Sequence, residues 1–408
     1  MFKPNPKREK RDISWILLLG SLFTVPAVSG DMYLPSLPKL MEELNTTQTM
    51  AQLTISATML GAALGQLTVG PLLDRFGRKR PVLVGLGVHV ITSLLCAVSF
   101  NIYMLFAFRF IQGAANSCAN VTGMAVNRDL FGATKSAKML SRLMLIVGVA
   151  PVFAPTLGTT MINFGGWRAI FVLLAILGVL LAFMVWRTLP ETLAPENRLK
   201  VTIGSAVKLY RYVLHDKTFL ACIIAGGLTQ TTMMSWVVTA PFVTQQEWNF
   251  SPGQFALTFA LIGSSMVIGA QINGTLINYI PPFKLLRFAI TIQLTLICIT
   301  CTVTYLSQDN PTLIIALLFS CIFFHTFITA NATAIALENH KQEAGTASAI
   351  IGICNSVFPS VITPVIAVIG GTSTSMTLVM TLCQLISLVA LSFGTNIFIR
   401  KSGLPSIL

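Results

Sequence analysis

The sequence predicts an all-α integral membrane protein with twelve transmembrane helices. Hydrophobic residues make up 54% of the 408 residues and only 10% are charged, and the mean hydropathy is +0.76. A soluble domain carries about 25% charged residues, so this chain requires a lipid environment. A helix needs about 20 apolar residues to cross a bilayer, and the polar breaks leave such spans near 14–37, 50–72, 81–100, 103–126, 139–162, 167–187, 218–243, 254–277, 284–305, 311–336, 345–369 and 374–399.

The spans fall into two similar halves. A shift of 204 residues, half the chain, places Gly65 on Gly269, Gly70 on Gly274 and Pro155 on Pro359. Such a repeat predicts two six-helix bundles related by a pseudo-two-fold axis along the membrane normal. We expect an N-terminal bundle at 1–187, a cytoplasmic connector at 188–217 and a C-terminal bundle at 218–408.

The net charge of +13 reports membrane topology. In a soluble protein it would suggest nucleic-acid binding, but the lysines and arginines gather in the two tails, the central connector and alternate loops. This is the positive-inside pattern. It predicts that both termini are cytoplasmic, and no nucleic-acid partner is expected.

In the interiors of the predicted spans, away from their ends, the ionisable candidates are Asp31, Arg109 and the histidines His89 and His325. Charges inside a bilayer are costly enough to be functional candidates. Asp31 in span 1 and Arg109 in span 4 each lie about eight residues from the outer end, roughly 10 Å deep, so the two could meet in one cavity. The alternative is structural, with Asp31 positioning the turn before Pro35 and Arg109 bracing helix packing.

Span 4 carries a polar stripe at spacings of three and four residues, formed by Arg109, Gln112, Gly113, Asn116 and Asn120. A polar stripe on a membrane helix faces a cavity or a neighbouring helix rather than lipid. For Asn116 and Asn120 both alternatives remain open.

Span 5 contains two glycines and two prolines in eleven residues, Gly148, Pro151, Pro155 and Gly158. Prolines break the hydrogen-bond ladder of a helix. The segment predicts either close packing or a helix that moves.

The loop between spans 2 and 3 concentrates charge in one short turn, Gly70-Pro-Leu-Leu-Asp74-Arg75-Phe-Gly77-Arg78-Lys79-Arg80. The second copy, 204 residues later, has Asn278 in place of the acid. The charge chemistry is therefore expected in the N-terminal half.

This loop resembles the signature of the major facilitator superfamily. Over nearly the whole chain the sequence is similar to the Bcr/CflA drug-resistance branch, through Asp31-Met-Tyr-Leu-Pro35-Ser-Leu-Pro38, Arg109-Phe-Ile-Gln112-Gly113, the antiporter motif of span 5 and Ala344-Gly345-Thr346-Ala347-Ser348-Ala349. The resemblance implies a multi-pass protein of the cell inner membrane that exports drugs or small metabolites by alternating access in exchange for protons.

The resemblance also implies roles for individual residues. Asp31 would carry the proton and Arg109 would modulate it, while Tyr33, Asn116, Trp236 and His325 would line the substrate cavity together with Gln112 and Asn120. Gating would involve the loop glycines Gly70 and Gly77, Asp74 near the helix N-terminus at Gly345, and a pair between Asp129 and either Arg75 or Arg78. One departure is Thr159, where the antiporter motif usually has a second glycine.

The sequence leaves other functions open. The chain could be a dedicated exporter or importer of one metabolite, or a transporter-like receptor. An enzyme is not expected, since the sequence has no H-E-x-x-H or G-x-S-x-G motif. We expect a monomer whose partners are a small-molecule substrate, protons and the bilayer, with no cofactor and no metal.

Overall fold

A computed structural model describes residues 6–194, 196, 210–306, 310–338, 340 and 343–402. At 6–14, most of 132–152, 344–345 and 394–402 only the backbone is described. Within these ranges every regular element is a helix. The all-α class predicted from composition is confirmed.

The helices follow one another with short turns. They are α1 (Pro6–Asp31), a 3-10 turn (Leu34–Ser36), α2 (Leu37–Glu43), α3 (Gln48–Phe76), α4 (Lys79–Ala97), α5 (Ile102–Thr188), α6 (Lys217–Phe242), a π-helical turn (Val243–Glu247), α7 (Pro252–Leu276), α8 (Pro282–Leu306), α9 (Pro311–Glu338), α10 (Ala344–Val368) and α11 (Ser373–Ser402). Most of the predicted connector, at 195 and 197–209, lies outside the described residues.

Helix α5 is a single continuous helical run through predicted spans 4, 5 and 6. A straight helix of 87 residues would be about 130 Å long, whereas the hydrocarbon core of a bilayer is about 30 Å thick. The run must therefore turn, and Gly166 marks one turn with φ of +68°. Across the described residues, ten helices are long and apolar enough to cross a membrane, and α5 contributes only Phe153–Thr188 to this number.

Span 1 is interrupted where the sequence predicted one continuous helix. Helix α1 ends at Asp31, and a 3-10 turn and α2 follow. Pro35 and Pro38 contribute to the break, since a proline has no backbone N–H to donate to the carbonyl oxygen four residues earlier, that of Asp31 and of Leu34. Asp31 thus lies at a helix end beside a turn.

The chain divides into two compact units. Unit 1 comprises residues 1–44 and 60–201, and unit 2 comprises 45–59 and 202–408. In unit 1, α5 packs against both α1 and α4 over a buried apolar cluster that includes Leu19, Leu22, Leu86 and Val185. In unit 2, α6 packs against α9, α10 and α11 over a cluster that includes Phe219, Leu286, Ile328 and Ala347.

The repeat of 204 residues is visible in the backbone of several turns. Asn45 and Asn249 are the non-glycine residues with positive φ in the described chain, at 47° and 55°. Gly166 and Gly370 also have positive φ, at 68° and 124°. Both pairs are separated by 204 residues, so equivalent turn positions in the two halves of the sequence have kept a positive φ.

Candidate functional site

Arg109 is the centre of a buried polar network in unit 1. Its side chain is fully buried, and Nη1 donates to the Ser29 carbonyl oxygen at 3.1 Å and to Gln112 Oε1 at 2.8 Å. The guanidinium carbon lies 4.8 Å from the centre of the Tyr33 ring and 5.7 Å from that of Phe171. A guanidinium over aromatic faces gains cation–π energy of about 2 kcal/mol when desolvated.

This environment leaves the positive charge without a countercharge. Among the described residues no carboxylate lies within 4.0 Å of Arg109, and its Nε and Nη2 groups have no hydrogen-bond partner. A buried charge with unsatisfied donors costs several kcal/mol. The Arg109 Nε and Nη2 groups are therefore able to donate to a further acceptor.

The network continues from Arg109 along the predicted polar stripe. Gln112 Nε2 donates to Ser93 Oγ at 2.7 Å, and Ser93 Oγ donates to the His89 carbonyl oxygen at 2.7 Å. The His89 ring Nδ1 lies 2.7 Å from Asn116 Oδ1. Of the two alternatives for Asn116, the structure shows interhelical hydrogen bonding, whereas Asn120 is only partly buried.

Asp31 lies at the end of α1, two residues after the Ser29 carbonyl that holds Arg109. The two charged side chains form no ion pair within 4.0 Å in this structure, and their meeting in one cavity stays a prediction. Gly158 of the span 5 motif packs on the same turn, because a Cβ atom at this position would lie 2.1 Å from the Met32 carbonyl oxygen. Helix α5 thus rests directly on the turn that carries Asp31.

The rest of the span 5 motif is described in part. At Gly148 and Pro151 only the backbone is described. Thr159, the departure from the motif, donates through Oγ1 to the Pro155 carbonyl oxygen at 2.9 Å. Its hydroxyl therefore satisfies a backbone acceptor of its own helix.

The predicted cavity residues of unit 2, Trp236 and His325, are both buried. Near His325, Thr229 Oγ1 donates to Gln384 Oε1 at 3.4 Å. Within the described chain, His325 Nδ1 and Gln384 Nε2 have no hydrogen-bond partner. Buried polar groups are normally satisfied, so these two are candidate ligand contacts. Gln384 was not predicted from the sequence, because a lone glutamine in an apolar helix gives no signal.

The charged loop between α3 and α4 forms a compact ion-pair network. Arg78 is almost fully buried and donates from Nη1 to Asp74 at 2.8 Å and from Nε to Asp129 at 3.0 Å. Of the two predicted alternatives for Asp129 the structure has Arg78, while the Arg75 guanidinium lies 5.2 Å from the centre of the Phe76 ring. Burial lowers the pKa of Arg78, but its bonds to Asp74 and Asp129 outweigh that effect and raise it above the ordinary value.

Glu191 is a member of this network that the sequence analysis did not assign to the site. Its carboxylate accepts from the backbone N–H of Arg78 at 2.7 Å and of Lys79 at 3.3 Å. These N–H groups belong to the first turn of α4, where a carboxylate is favoured by the helix dipole. Gly77, with φ of +89°, leaves room for this approach, because a Cβ there would lie 2.3 Å from Glu191 Oε2.

Two further glycines were predicted to take part in gating, Gly70 and Gly345. A Cβ at Gly70 would meet nothing within 4 Å, so space does not explain this glycine. Gly345 lies in the first turn of α10, in unit 2, and Asp74 lies in unit 1.

Two further acids that were missed from the sequence, Glu43 and Glu247, each hold a turn of their own unit. In unit 1, Glu43 Oε2 accepts from Trp167 Nε1 at 2.8 Å and from Arg168 Nη1 at 3.0 Å. In unit 2, Glu247 accepts from the Ser373 backbone N–H at 2.8 Å and from its hydroxyl. Glu43 and Glu247 are separated by 204 residues, so the repeat could have identified them as a pair.

Comparisons with known proteins agree with this architecture. The family model described as Major Facilitator Superfamily matches residues 18–364. This chain belongs to the major facilitator superfamily, whose members are membrane transporters and not enzymes.

Individual relatives indicate the branch of the superfamily. The chain is 32% identical over 388 residues to the uncharacterized MFS-type transporter YdgK of Bacillus subtilis, covering 95% of this chain and 96% of that protein. It is 28% identical to a bicyclomycin resistance protein homolog of Haemophilus influenzae, over 97% and 100% of the two chains. It is also 28% identical to the multidrug resistance protein MdtL of Escherichia coli O157:H7, over 89% and 91%. These relatives are those expected of the Bcr/CflA branch that the sequence resembles.

One solved structure extends the comparison to the fold. The crystal structure of a D-xylose-proton symporter superposes with a TM-score of 0.69 at 14% identity, covering 92% of this chain and 96% of that one. At this identity the likeness concerns the fold alone. The prediction of the superfamily fold from the loop motif and the internal repeat is confirmed.

Proposed function

We propose that this transporter is a proton-coupled antiporter that exports drugs or small metabolites from the cytoplasm by alternating access. It would act as a monomer in the cell inner membrane, with both termini cytoplasmic. The resistance proteins among its relatives support drugs as a substrate class. The placement of basic residues in alternate loops supports the orientation.

The observation that carries the proposal is the buried Arg109 guanidinium, which has no carboxylate within 4.0 Å among the described residues. It bonds to the carbonyl oxygen of Ser29, two residues before Asp31 in the chain. A carboxylate can gain and release a proton, whereas a guanidinium stays charged. We assign Asp31 as the proton carrier and Arg109 as the fixed charge that favours its ionised form. Ionised Asp31 would be drawn toward Arg109 and protonated Asp31 would not, which gives the proton a different affinity for two conformations, as coupling requires.

The network around Arg78 serves as the gate in this proposal. Three carboxylates, from Asp74, Asp129 and Glu191, converge on Arg78 and on the first turn of α4. Their charges would set the balance between conformations without touching substrate. Trp236, His325 and Gln384 would supply substrate contacts in unit 2.

The test is substrate uptake into inverted membrane vesicles under an imposed pH gradient, measured for a panel of drugs and metabolites. Asp31→Asn should abolish uptake driven by the gradient and leave energy-independent exchange of substrate measurable, since the amide keeps size and hydrogen bonding but cannot carry a proton. Glu42→Gln, an exposed acid eleven residues on, is the matched control and should transport normally. Concentrative uptake by Asp31→Asn would refute the assignment of Asp31.

A second measurement separates coupling from binding. If Asp31→Asn also loses substrate binding in an equilibrium assay, Asp31 is a ligand or a structural residue rather than the proton carrier. Uptake of a single compound from the panel would indicate a dedicated exporter, and uptake only into right-side-out vesicles would indicate an importer. Ligand binding with no flux in any assay would indicate a receptor.

A further inference from the structure

An apolar groove lies on the surface of unit 1, between α4 and the final segment of α5 (residues 167–188). Leu83, Gly87 and Ile91 of α4 form one wall, and Val179, Phe183 and Trp186 of α5 form the other. The groove is open to the surroundings and has a volume of about 520 Å³. Apart from the Trp186 indole, these side chains have no hydrogen-bonding group.

The groove exists because two glycines set the distance between the helices differently along their length. At Gly178 the helices touch, since a Cβ there would lie 2.8 Å from the His89 ring and 2.9 Å from Val90. At Gly87 a Cβ would meet no heavy atom within 4 Å. The space beside Gly87 is therefore open and could accept a linear apolar chain.

One end of the groove is strongly basic. Lys79 Nζ donates to the Trp186 carbonyl oxygen at 2.8 Å, and the Arg187 guanidinium carbon lies 5.3 Å from the Trp186 ring and 5.4 Å from the Phe183 ring. Arg80 is exposed next to Lys79. Among the described residues none of these three cations has a carboxylate within 4.0 Å, since Glu191 accepts instead from the backbone of Arg78 and Lys79.

The length of the groove matches one leaflet of a membrane. From Leu83 to Ile91 α4 advances eight residues, about 12 Å, whereas half the hydrocarbon core is about 15 Å. The basic end lies at the helix termini and the apolar part runs from there toward the middle of the bilayer.

We propose that this groove binds one acyl chain of an anionic phospholipid, whose phosphate is held by Lys79, Arg80 and Arg187. The cations favour a net negative headgroup over a zwitterionic one by about 1 kcal/mol each near a membrane surface, or roughly fivefold in affinity per cation. The apolar walls hold the chain, with the Trp186 ring at the level of the headgroup, where indoles are enriched.

The experiment measures quenching of Trp186 by lipid. The full-length protein is reconstituted in phosphatidylcholine nanodiscs with increasing fractions of phosphatidylglycerol brominated on its acyl chains, or of brominated phosphatidylcholine as the neutral comparison. The Trp186 signal is the difference between the wild-type protein and Trp186→Phe. We expect half-quenching at a severalfold lower mole fraction for the brominated phosphatidylglycerol, and a preference about fivefold smaller in Arg187→Gln and in Arg80→Gln.

Matched controls lie in unit 2. Lys284→Gln removes an exposed cation at the repeat position of Arg80 and should leave the preference unchanged. Gly87→Leu places a side chain in the groove at a position where the Cβ meets no heavy atom within 4 Å, and it should weaken quenching by the anionic lipid. Gly274→Leu, at another glycine whose Cβ would meet nothing within 4 Å, should not. Equal quenching by the two lipids, or a preference that survives the arginine substitutions, overturns the anionic site. Unchanged quenching in Gly87→Leu overturns the groove as the place of the acyl chain.

Discussion

Gly158 provides the sharpest test of how α5 positions the turn that carries Asp31. In Gly158→Ala the added Cβ would lie 2.1 Å from the Met32 carbonyl oxygen, 2.9 Å from the carbonyl carbon and 3.2 Å from Cα. Non-bonded heavy atoms are comfortable at about 3.5–4.0 Å. The turn or α5 must therefore move by about 1 Å or more, because the obstructing atoms belong to backbone and cannot rotate away.

The expected change in stability has two parts. Overpacking of this kind costs about 1–3 kcal/mol, and replacing glycine by alanine inside a helix returns about 1 kcal/mol. Gly158→Ala should thus lower the free energy of unfolding by about 0–2 kcal/mol. Gly30→Ala is the matched control, since it lies next to Asp31 and its Cβ would meet nothing within 4 Å. The difference between the two variants isolates the overpacking cost.

Two assays on Gly158→Ala and Gly30→Ala test whether α5 positions this turn. Thermal unfolding in one detergent and lipid mixture should give a lower midpoint for Gly158→Ala than for Gly30→Ala. Uptake driven by a pH gradient should fall about tenfold or more in Gly158→Ala, since a displacement of 1 Å at a reacting group can cost up to about a hundredfold. A Gly158→Ala protein that matches Gly30→Ala in both midpoint and uptake would refute the reasoning.

Three further predictions concern the loops and turns between helices. Arg78→Ala should lower transport and stability, the latter by about 1.5–3 kcal/mol for lost charged hydrogen bonds, while equilibrium substrate binding persists; unchanged transport at normal expression would exclude a gating role. Glu43→Gln should speed hydrogen exchange near residues 165–169, and Glu247→Gln should speed it near residues 371–375, because each acid holds its own loop. Exchange that rises equally in both loops in either variant would contradict the assignment. Asn249→Gly should be tolerated, whereas Asn249→Val should destabilise by about 1–2 kcal/mol because its φ is positive, as a comparison of thermal midpoints would show.

Some of the site could be predicted from the sequence because its chemistry is local. Asp74, Arg78 and the glycine between Phe76 and Arg78 lie within one turn, and Arg78 to Asp74 is a contact between residues four apart. The stripe from Arg109 to Asn116 follows from helical spacing alone. Glu191 could not be found in this way, since it reaches Arg78 across 113 residues of chain.

The branch of the family was likewise visible in short motifs, but their contacts were not. Gly158 belongs to a recognisable motif, yet only the structure shows that it faces the Met32 carbonyl. The alternatives for Asn116 could not be separated from sequence, because a polar stripe looks the same whether it lines a cavity or bonds to a neighbouring helix.

The sequence alone determined the membrane class, the internal repeat and the family, because hydropathy, loop charge and repeated turn residues are properties of the chain read in order. The tertiary structure decided which partners each buried polar group obtained: Arg109 has aromatic faces and a carbonyl instead of Asp31, and Asn116 has His89. Those choices depend on which helices pack together and at what distance. That distance is set by small residues such as Gly158 and Gly178, whose effect appears only when a second helix is placed against them.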